Sequence, residues 1–565
     1  EIRLSLVGSE MCIRDRFTIY TVLFPYFIPA ALRIIKERLF MQRTELSHFK
    51  EGVPMEHLFQ AINNIFDFVI PVSDFFWDFP TNFSWYASIP VLGNFSLAVI
   101  LLIGSGIYFT LKTGFIQVTH FGRGIRILTR KKKEEIGISS LAAFFLSSAM
   151  RVGPGNILGV TGAIAVGGPG ALFWMWVSAF FGMATAYTEA VLAQIFKERK
   201  NEEFVGGLPF YGKVLLGNKL WAGIALSLMY IIYAMCCLPA QGFNVVSSIG
   251  QMAEIATGSS LEGTSIFYYV VSLLLIVITA YIAFGGIRKV TRVTDRLVPV
   301  MAVVYVAVVF VLILLNLHSV PYFFGAVFSG AFTPEAIFGG VFGTVLVQGV
   351  KRGLMSNEAG QGTITMAAGA ASTSHPCEQG CVQSIGVFLD TMVICTLTGF
   401  VVVMAHIWTG SGAEAWFALD RLPKFLESAK VLTPGTAMNA IVAFLLTFCF
   451  CLFAFTCLVG MISFSEIAAN RISTRKRVIY AVRIIGILIT AFGIACSLAG
   501  IELGNLWAIS DLGNILIVFA NIPLLYLGAK CVFKATAHFK KDDGSAFDSS
   551  VIGRSCPYWD QKKQN

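Results

Sequence analysis

Residues 151–156 read Arg-Val-Gly-Pro-Gly-Asn, and residues 357–363 read Asn-Glu-Ala-Gly-Gln-Gly-Thr. Each stretch interrupts an apolar run of the length that crosses a bilayer. A proline between two glycines breaks the helical hydrogen-bond ladder, and polar residues beside it have no place against lipid. Broken backbone at membrane depth survives only where it faces protein or a wet cavity. Two such breaks, one in each half of the chain, point to a secondary transporter with a binding site at the bilayer midplane.

Outward from these breaks, a window of roughly 20 helical residues per crossing divides the chain into about eleven spans. They fall near 92–114, 138–163, 170–196, 219–243, 264–286, 297–316, 336–372, 380–408, 435–467, 477–500 and 505–530. Basic clusters follow the first span (Arg123, Arg126, Arg130, Lys131 to Lys133), the third (Lys197, Arg199, Lys200, Lys213), the fifth (Arg288, Lys289, Arg292, Arg296), the ninth (Arg471, Arg475, Lys476, Arg477) and the last (Lys530, Lys534, Lys540, Lys541). The loop after the seventh has only His375, and 409–433 carries Arg421, Lys424 and Lys430 on the opposite side. The positive-inside rule then starts the chain outside and ends it in the cytoplasm. The second span runs inward to outward and the seventh the reverse. Spans two to six (about 138–316) and seven to eleven (about 336–530) form a five-plus-five inverted repeat, with the first span an extra N-terminal helix. The fold class is therefore all-α integral membrane.

Composition agrees. Of 565 residues, 56% are hydrophobic and 13% charged, where a soluble chain carries about 25% charged residues. The mean hydropathy is +0.73. Soluble enzymes, coiled coils and disordered proteins are excluded. The net charge of +9 lies in clusters between apolar runs and is no nucleic-acid footprint. Cysteines such as Cys236, Cys237, Cys449 and Cys496 sit inside apolar runs as small hydrophobes. His375, Cys377 and Cys381 form the one cluster with metal-ligand character, a weak one, since no second Cys/His pair at a zinc-like spacing follows. No Walker or nucleophile–base motif is present, so no enzyme activity and no cofactor are expected. Glu1–Arg16 (EIRLSLVGSEMCIRDR) reads as adapter-derived sequence, and residues 1–54 as a non-native or disordered leader with Met55 a plausible start. Residues 55–91 form an amphipathic, extracellular segment, 92–530 the transporter domain, and 531–565 a cytoplasmic tail.

Several segments together resemble the alanine or glycine:cation symporter family, the sodium:alanine symporters. They are GPGNILGVTGAIAVGGPGALFWMW (153–176), GMATAYTEAVLA (182–193), VTRVTDRLVPVMAVVYV (290–306), AFTPEAIFGGVFG (331–343), RGLMSNEAGQGT (352–363), FLDT (388–391) and LFAFTCLVG (452–460). The resemblance runs in order from about residue 60 to 530. It implies a LeuT-type fold, a small neutral amino acid as substrate, and Na+ or H+ as the coupling ion.

The candidate site rests on both breaks. Gly153 and Gly155 open the backbone, and Asn156 supplies a neutral oxygen suited to Na+. Small-residue packing accounts for the glycines but not for Pro154 or Asn156. The family reads Gly-Thr-Gly-Asn here, so Pro154 removes a hydroxyl and an N–H. Asn357, Gly360, Gln361 and Gly362 form the facing break. Glu358 reads equally as a proton or cation carrier, as a partner of Arg352, or as a helix cap. Arg151 is costly at the midplane unless paired; Glu466, Asp390 and a substrate carboxylate remain open as its counter-charge. Asp390 and Asp511 read as structural partners of polar helix ends. Gln241 and Asn244 share a helix face at the outer end of the fourth span, and the resemblance implies contact with the amino acid. It also implies a sodium ion between carbonyls of the second span, here Ala149 and Val152, and the paired positions Thr456 and Cys457. The family has two hydroxyls there, and Cys457 substitutes a soft sulfur. The lipid bilayer is the remaining partner, and oligomeric state is not encoded in any motif.

Overall fold

A computed structural model describes residues 68–89, 92–130, 136–200, 203–261, 265–332, 342–410, 413–498, 504–541, 547–556 and 558–560, with the side chains of 94, 342–344 and 504–507 left aside. The leader, residues 55–67 and 90–91 of the N-terminal segment, and Lys131 to Lys133 fall outside these residues.

Among the described residues, eight helices are long and apolar enough to cross a membrane. Each lies on a span read from the sequence: Gly170–Ile195, Leu220–Thr257, Ile266–Ala283, Gly286–Leu315, Pro376–Met404, Thr436–Ile472, Lys476–Leu498 and Ala508–Lys541. The other three expected spans coincide with Leu97–Lys112, with the broken run Ser140–Arg151, Gly155–Gly159 and Val160–Gly167, and with the broken run Phe342–Asn357 and Thr365–Ala370. The chain is a multi-pass membrane protein. Local sequence starts the helices where it can: Ser139 caps the second span by accepting from the Ala142 amide at 3.0 Å, and Ser265 caps the fifth, each filling an orphan donor.

Burial sorts the spans into an inner and an outer set. The best apolar windows of the third, eighth, ninth and eleventh spans are 61–67% buried, and those of the fifth and tenth only 28%. Leu273, Leu274, Val277 and Tyr281 of the fifth are more than half exposed, a lipid-facing surface by its size and chemistry. The third span packs against the first, seventh and eighth, the fourth lies along the ninth, and the two broken spans pack on each other.

Both breaks have a local cause. In the second span Val152 leaves the helical region (φ −77°, ψ 79°), Pro154 supplies no N–H, and the chain resumes as a π-turn over Gly155–Gly159. In the seventh, Glu358 (φ 57°), Gly360 (φ 101°) and Gly362 (φ 75°) are left-handed, which a β-carbon disfavours. A Cβ on Gly360 would also lie 2.9 Å from Leu102 Cδ2. The eighth span carries a second π-turn, Phe388–Cys395, that holds Asp390; such turns recur at functional sites.

Two differences from the sequence reading matter. The fourth helix continues to Thr257, so Gln241 and Asn244 lie within it rather than at its end. The last helix runs to Lys541, past the expected end near residue 530, and residues 547–556 and 558–560 pack back against the protein. Trp559 is 1% exposed and donates from Nε1 to the Gln194 carbonyl at 2.8 Å. Lys197 lies 4.3 Å from the Phe204 ring and 4.5 Å from that of Tyr558.

Candidate substrate and ion site

A cavity of about 60 Å³ lies where the two breaks meet, room for about four waters. Gly153, Pro154 and Gly155 form one side, and Glu358 another. Gln241, Tyr233 and Cys457 come from the fourth and ninth spans, and Asn514 from the eleventh.

Arg151 bridges the breaks. It is 1% exposed, its Nε donates to the Asn357 carbonyl at 3.1 Å and its Nη1 to Gln383 Oε1 at 2.9 Å. Its Nη2 is buried and has no hydrogen-bond partner. Glu466 is not its counter-charge, for that carboxylate takes Arg483 at 2.6 Å. Nor is Asp390 hydrogen-bonded to it: Asp390 accepts from Asn156 Nδ2 and Ser356 Oγ at 2.6 Å each and from Thr391 Oγ1 at 2.9 Å. Asp511 pairs with Lys351 at 3.3 Å and Arg352 at 3.8 Å, the structural role read for it. Glu358 accordingly does not hold Arg352; its Oε2 accepts from Thr363 Oγ1 at 2.6 Å.

The side-chain oxygen of Asn156, Oδ1, is turned back on its own turn, accepting from the Gly153 amide at 2.8 Å. Asn156 is fully buried, and it joins the second span to Asp390 and Ser356. Gly153 and Gly155 are not sterically compelled, since a Cβ would meet nothing closer than 3.5 Å and 3.6 Å respectively. Asn357 Oδ1 accepts from Ala359 N at 3.0 Å and its Nδ2 donates to Thr391 Oγ1 at 3.2 Å. Gln361 donates to Leu354 O at 3.4 Å, with Oε1 unpartnered. Gln241 Oε1 and Asn244 Nδ2 are likewise buried without partners, but only Gln241 lines the cavity. On the ninth span the two paired positions part. Cys457 faces the cavity, 4.0 Å from the Met150 carbonyl. Thr456 donates to Leu452 O at 2.9 Å and lies 3.7 Å from Met301 Sδ, on the sixth-span side. Hydrogen bonds place neither Ala149 nor Val152 oxygen beside it.

One residue central to this arrangement was not weighed in the sequence. Glu189, fully buried in the third span, accepts at Oε1 from the amides of Gly360 (3.0 Å) and Gly362 (2.8 Å) and from Asn521 Nδ2 (2.6 Å). Successive amides in a left-handed turn form an anion-binding nest, and here a side chain of the protein fills it. A lone carboxylate inside a 26-residue apolar helix was the available signal.

The weak metal reading at His375 is replaced by a different chemistry. His375 Nδ1 accepts from Cys377 N at 3.1 Å, and Nε2 meets His538 Nδ1 at 3.1 Å. Among the described residues no three His, Cys, Asp or Glu side chains are grouped to hold an ion. Burial, reinforced by His538 and Arg123, lowers the His375 pKa to about 3. Unfolded, this imidazole takes a proton near pH 6.5. Its contribution to stability is therefore complete above about pH 6.5 and lost progressively as pH falls toward 3. Melting of the purified protein should drop between pH 7.5 and 5 more steeply than in His375→Gln; parallel curves would contradict this.

The sodium:alanine symporter family profile matches residues 84–551. This chain belongs to the sodium:alanine symporter family. Family membership makes it a transporter rather than an enzyme. Among relatives, "Amino-acid carrier protein AlsT" of Bacillus subtilis (strain 168) is 33% identical over 82% of this chain and 95% of its own. "Probable sodium/glutamine symporter GlnT" of the same organism is 32% identical over 80% and 89%. "Sodium/alanine symporter AgcS" of Methanococcus maripaludis is 33% identical over 78% and 94%.

Proposed function

We propose that this protein imports a small neutral amino acid together with a cation, Na+ in the first instance, by alternating access around the cavity between the second and seventh spans. The carrying observation is that cavity: two interrupted helices enclose it, and it is lined by polar atoms without partners, in a chain whose relatives are named as alanine, glutamine and general amino-acid carriers. The five-plus-five inverted repeat supplies the rocking halves. The direct test is uptake of a panel of labelled amino acids into proteoliposomes, with and without a sodium gradient. Accumulation of none of them would end this reading.

A second reading, a proton-coupled or exchanging porter with weak sodium dependence, is favoured by one observation. Sodium prefers oxygen, and the cavity receives the sulfur of Cys457 while the Thr456 hydroxyl bonds within its own helix. Restoring oxygen with Cys457→Ser should lower the sodium concentration for half-maximal uptake severalfold. Superimposable, steep and saturable curves for both proteins would remove the sulfur from the ion's path.

Orientation follows from charge: position 132 in the cytoplasm, 409–433 and the N-terminus outside, the C-terminus inside. An impermeant thiol reagent added outside should label a cysteine placed at position 415 and not one at 132; the reverse pattern would invert the topology.

A further inference from the structure

An amino-acid zwitterion brings one carboxylate and one ammonium, and each needs a partner once water is stripped away. The usual donors at an interrupted helix are its bare amides. Here most of those in the two turns are spent. In the second span Val152 donates to Ser148 O (2.8 Å), Gly153 to Arg151 O (2.9 Å) and to Asn156 Oδ1 (2.8 Å), and Asn156 to Gly153 O (3.1 Å). Pro154 has no N–H, so Gly155 alone remains. In the seventh, Glu358 donates to Leu354 O (2.8 Å), Ala359 to Asn357 Oδ1 (3.0 Å), Gln361 to Glu358 O (3.2 Å), and Gly360 and Gly362 to Glu189 (3.0 and 2.8 Å). The side chains are the opposite case. Arg151 lines the cavity with Nη2 buried and unpartnered, and Gln241 lines it with Oε1 in the same condition. Glu358 lines it too, with only Oε2 engaged by Thr363.

We infer that Arg151 anchors the substrate carboxylate and that Glu358, with Gln241 Oε1, receives the substrate ammonium. This rests on the amino-acid transport reading above and narrows it to a specific orientation of the ligand. Arg151 is held for the task by the Asn357 carbonyl and Gln383, which fix two of its three nitrogens and leave Nη2 without a partner. Guanidinium and carboxylate then sit on different spans, so a zwitterion draws the second and seventh spans together as neither charge alone would. Arg352 and Arg421 also reach the cavity, but Arg352 lies against Asp511 and Arg421 enters from the segment after the eighth span.

The experiment measures ligand-induced stabilisation of the purified protein in lipid nanodiscs by three probes. L-alanine carries both charges, L-lactate exchanges the ammonium for a hydroxyl, and L-alaninamide lacks the carboxylate. Wild-type protein should bind each analogue at least about 30-fold more weakly than alanine, a ratio worth about 2 kcal/mol. In Glu358→Gln the alanine-to-lactate ratio should collapse toward one, and in Arg151→Gln the alanine-to-alaninamide ratio should do so. Equal binding of lactate and alanine by the wild type overturns the assignment without recourse to any variant. Ratios unchanged in a folded Glu358→Gln, or a carboxylate effect that appears in Arg421→Gln instead of Arg151→Gln, also overturn it. Alanine uptake with these ratios unaffected defeats this orientation alone; failure to bind or take up any amino acid defeats the transport reading beneath it.

Discussion

Glu189→Leu is expected to abolish uptake, at least 100-fold, and to lower the melting temperature of the purified protein. The leucine would strand the Gly360 and Gly362 amides, which converge on one carboxylate oxygen, and would take one of two acceptors from Asn521 Nδ2, which keeps the Gly360 carbonyl at 2.9 Å. Each stranded buried donor costs about 1–3 kcal/mol. Glu189→Gln separates geometry from charge. It keeps an oxygen for the two amides, so it should fold better than the leucine variant yet retain only part of the uptake. Leucine and glutamine variants with equal, near-normal uptake would show that the nest tolerates any filling and would end this argument.

Asn156→Ala is expected to reduce uptake at least 100-fold while leaving a protein that can be purified. The carboxamide joins three elements: its oxygen holds the Gly153 amide, and its nitrogen reaches Asp390 at 2.6 Å and Ser356 at 3.0 Å. Alanine would remove a donor from a buried carboxylate and release the turn that shapes the cavity wall. Asp390 keeps Ser356 and Thr391, which is why folding should survive where transport does not. Asp390→Asn in the same background gives the coupling between the two residues by a double-mutant cycle. Near-normal transport by a well-expressed Asn156→Ala at low sodium would remove Asn156 from the mechanism.

The breaks were legible from sequence because their causes are local. Proline denies an N–H wherever it stands, and the left-handed turn at Gly360 and Gly362 needs residues without a β-carbon. The partners of the polar residues were not legible. Arg151 finds Asn357 and Gln383 more than 200 positions away, and nothing in RVGPGN distinguishes them from Glu466 or Asp390. The partners of Asn156 were hidden for a related reason: composition offered an oxygen, but not that its three-residue reach meets the Gly153 amide. Gln241 and Asn244 were placed at a helix end because hydropathy falls off near Phe243, whereas the helix continues on Ser247 and Ser248, of which Ser248 returns its hydroxyl to the Asn244 carbonyl. Glu189 sat in plain view and needed only the rule that a carboxylate does not enter an apolar helix without a partner.

The folded-back tail carries a thermodynamic load for the transport cycle. Trp559 is buried and bonded to the Gln194 carbonyl in this conformation. Docking lowers the free energy of every conformer that preserves that contact and leaves the others untouched, so it sets populations rather than contacts. A docking energy on the order of 2 kcal/mol, the scale of one buried apolar side chain, would redistribute two otherwise equal conformers about thirtyfold. A bulky fusion attached just past Asp560 would act on that same balance, and turnover measured on such a fusion would report the ballast of the tag together with the transporter.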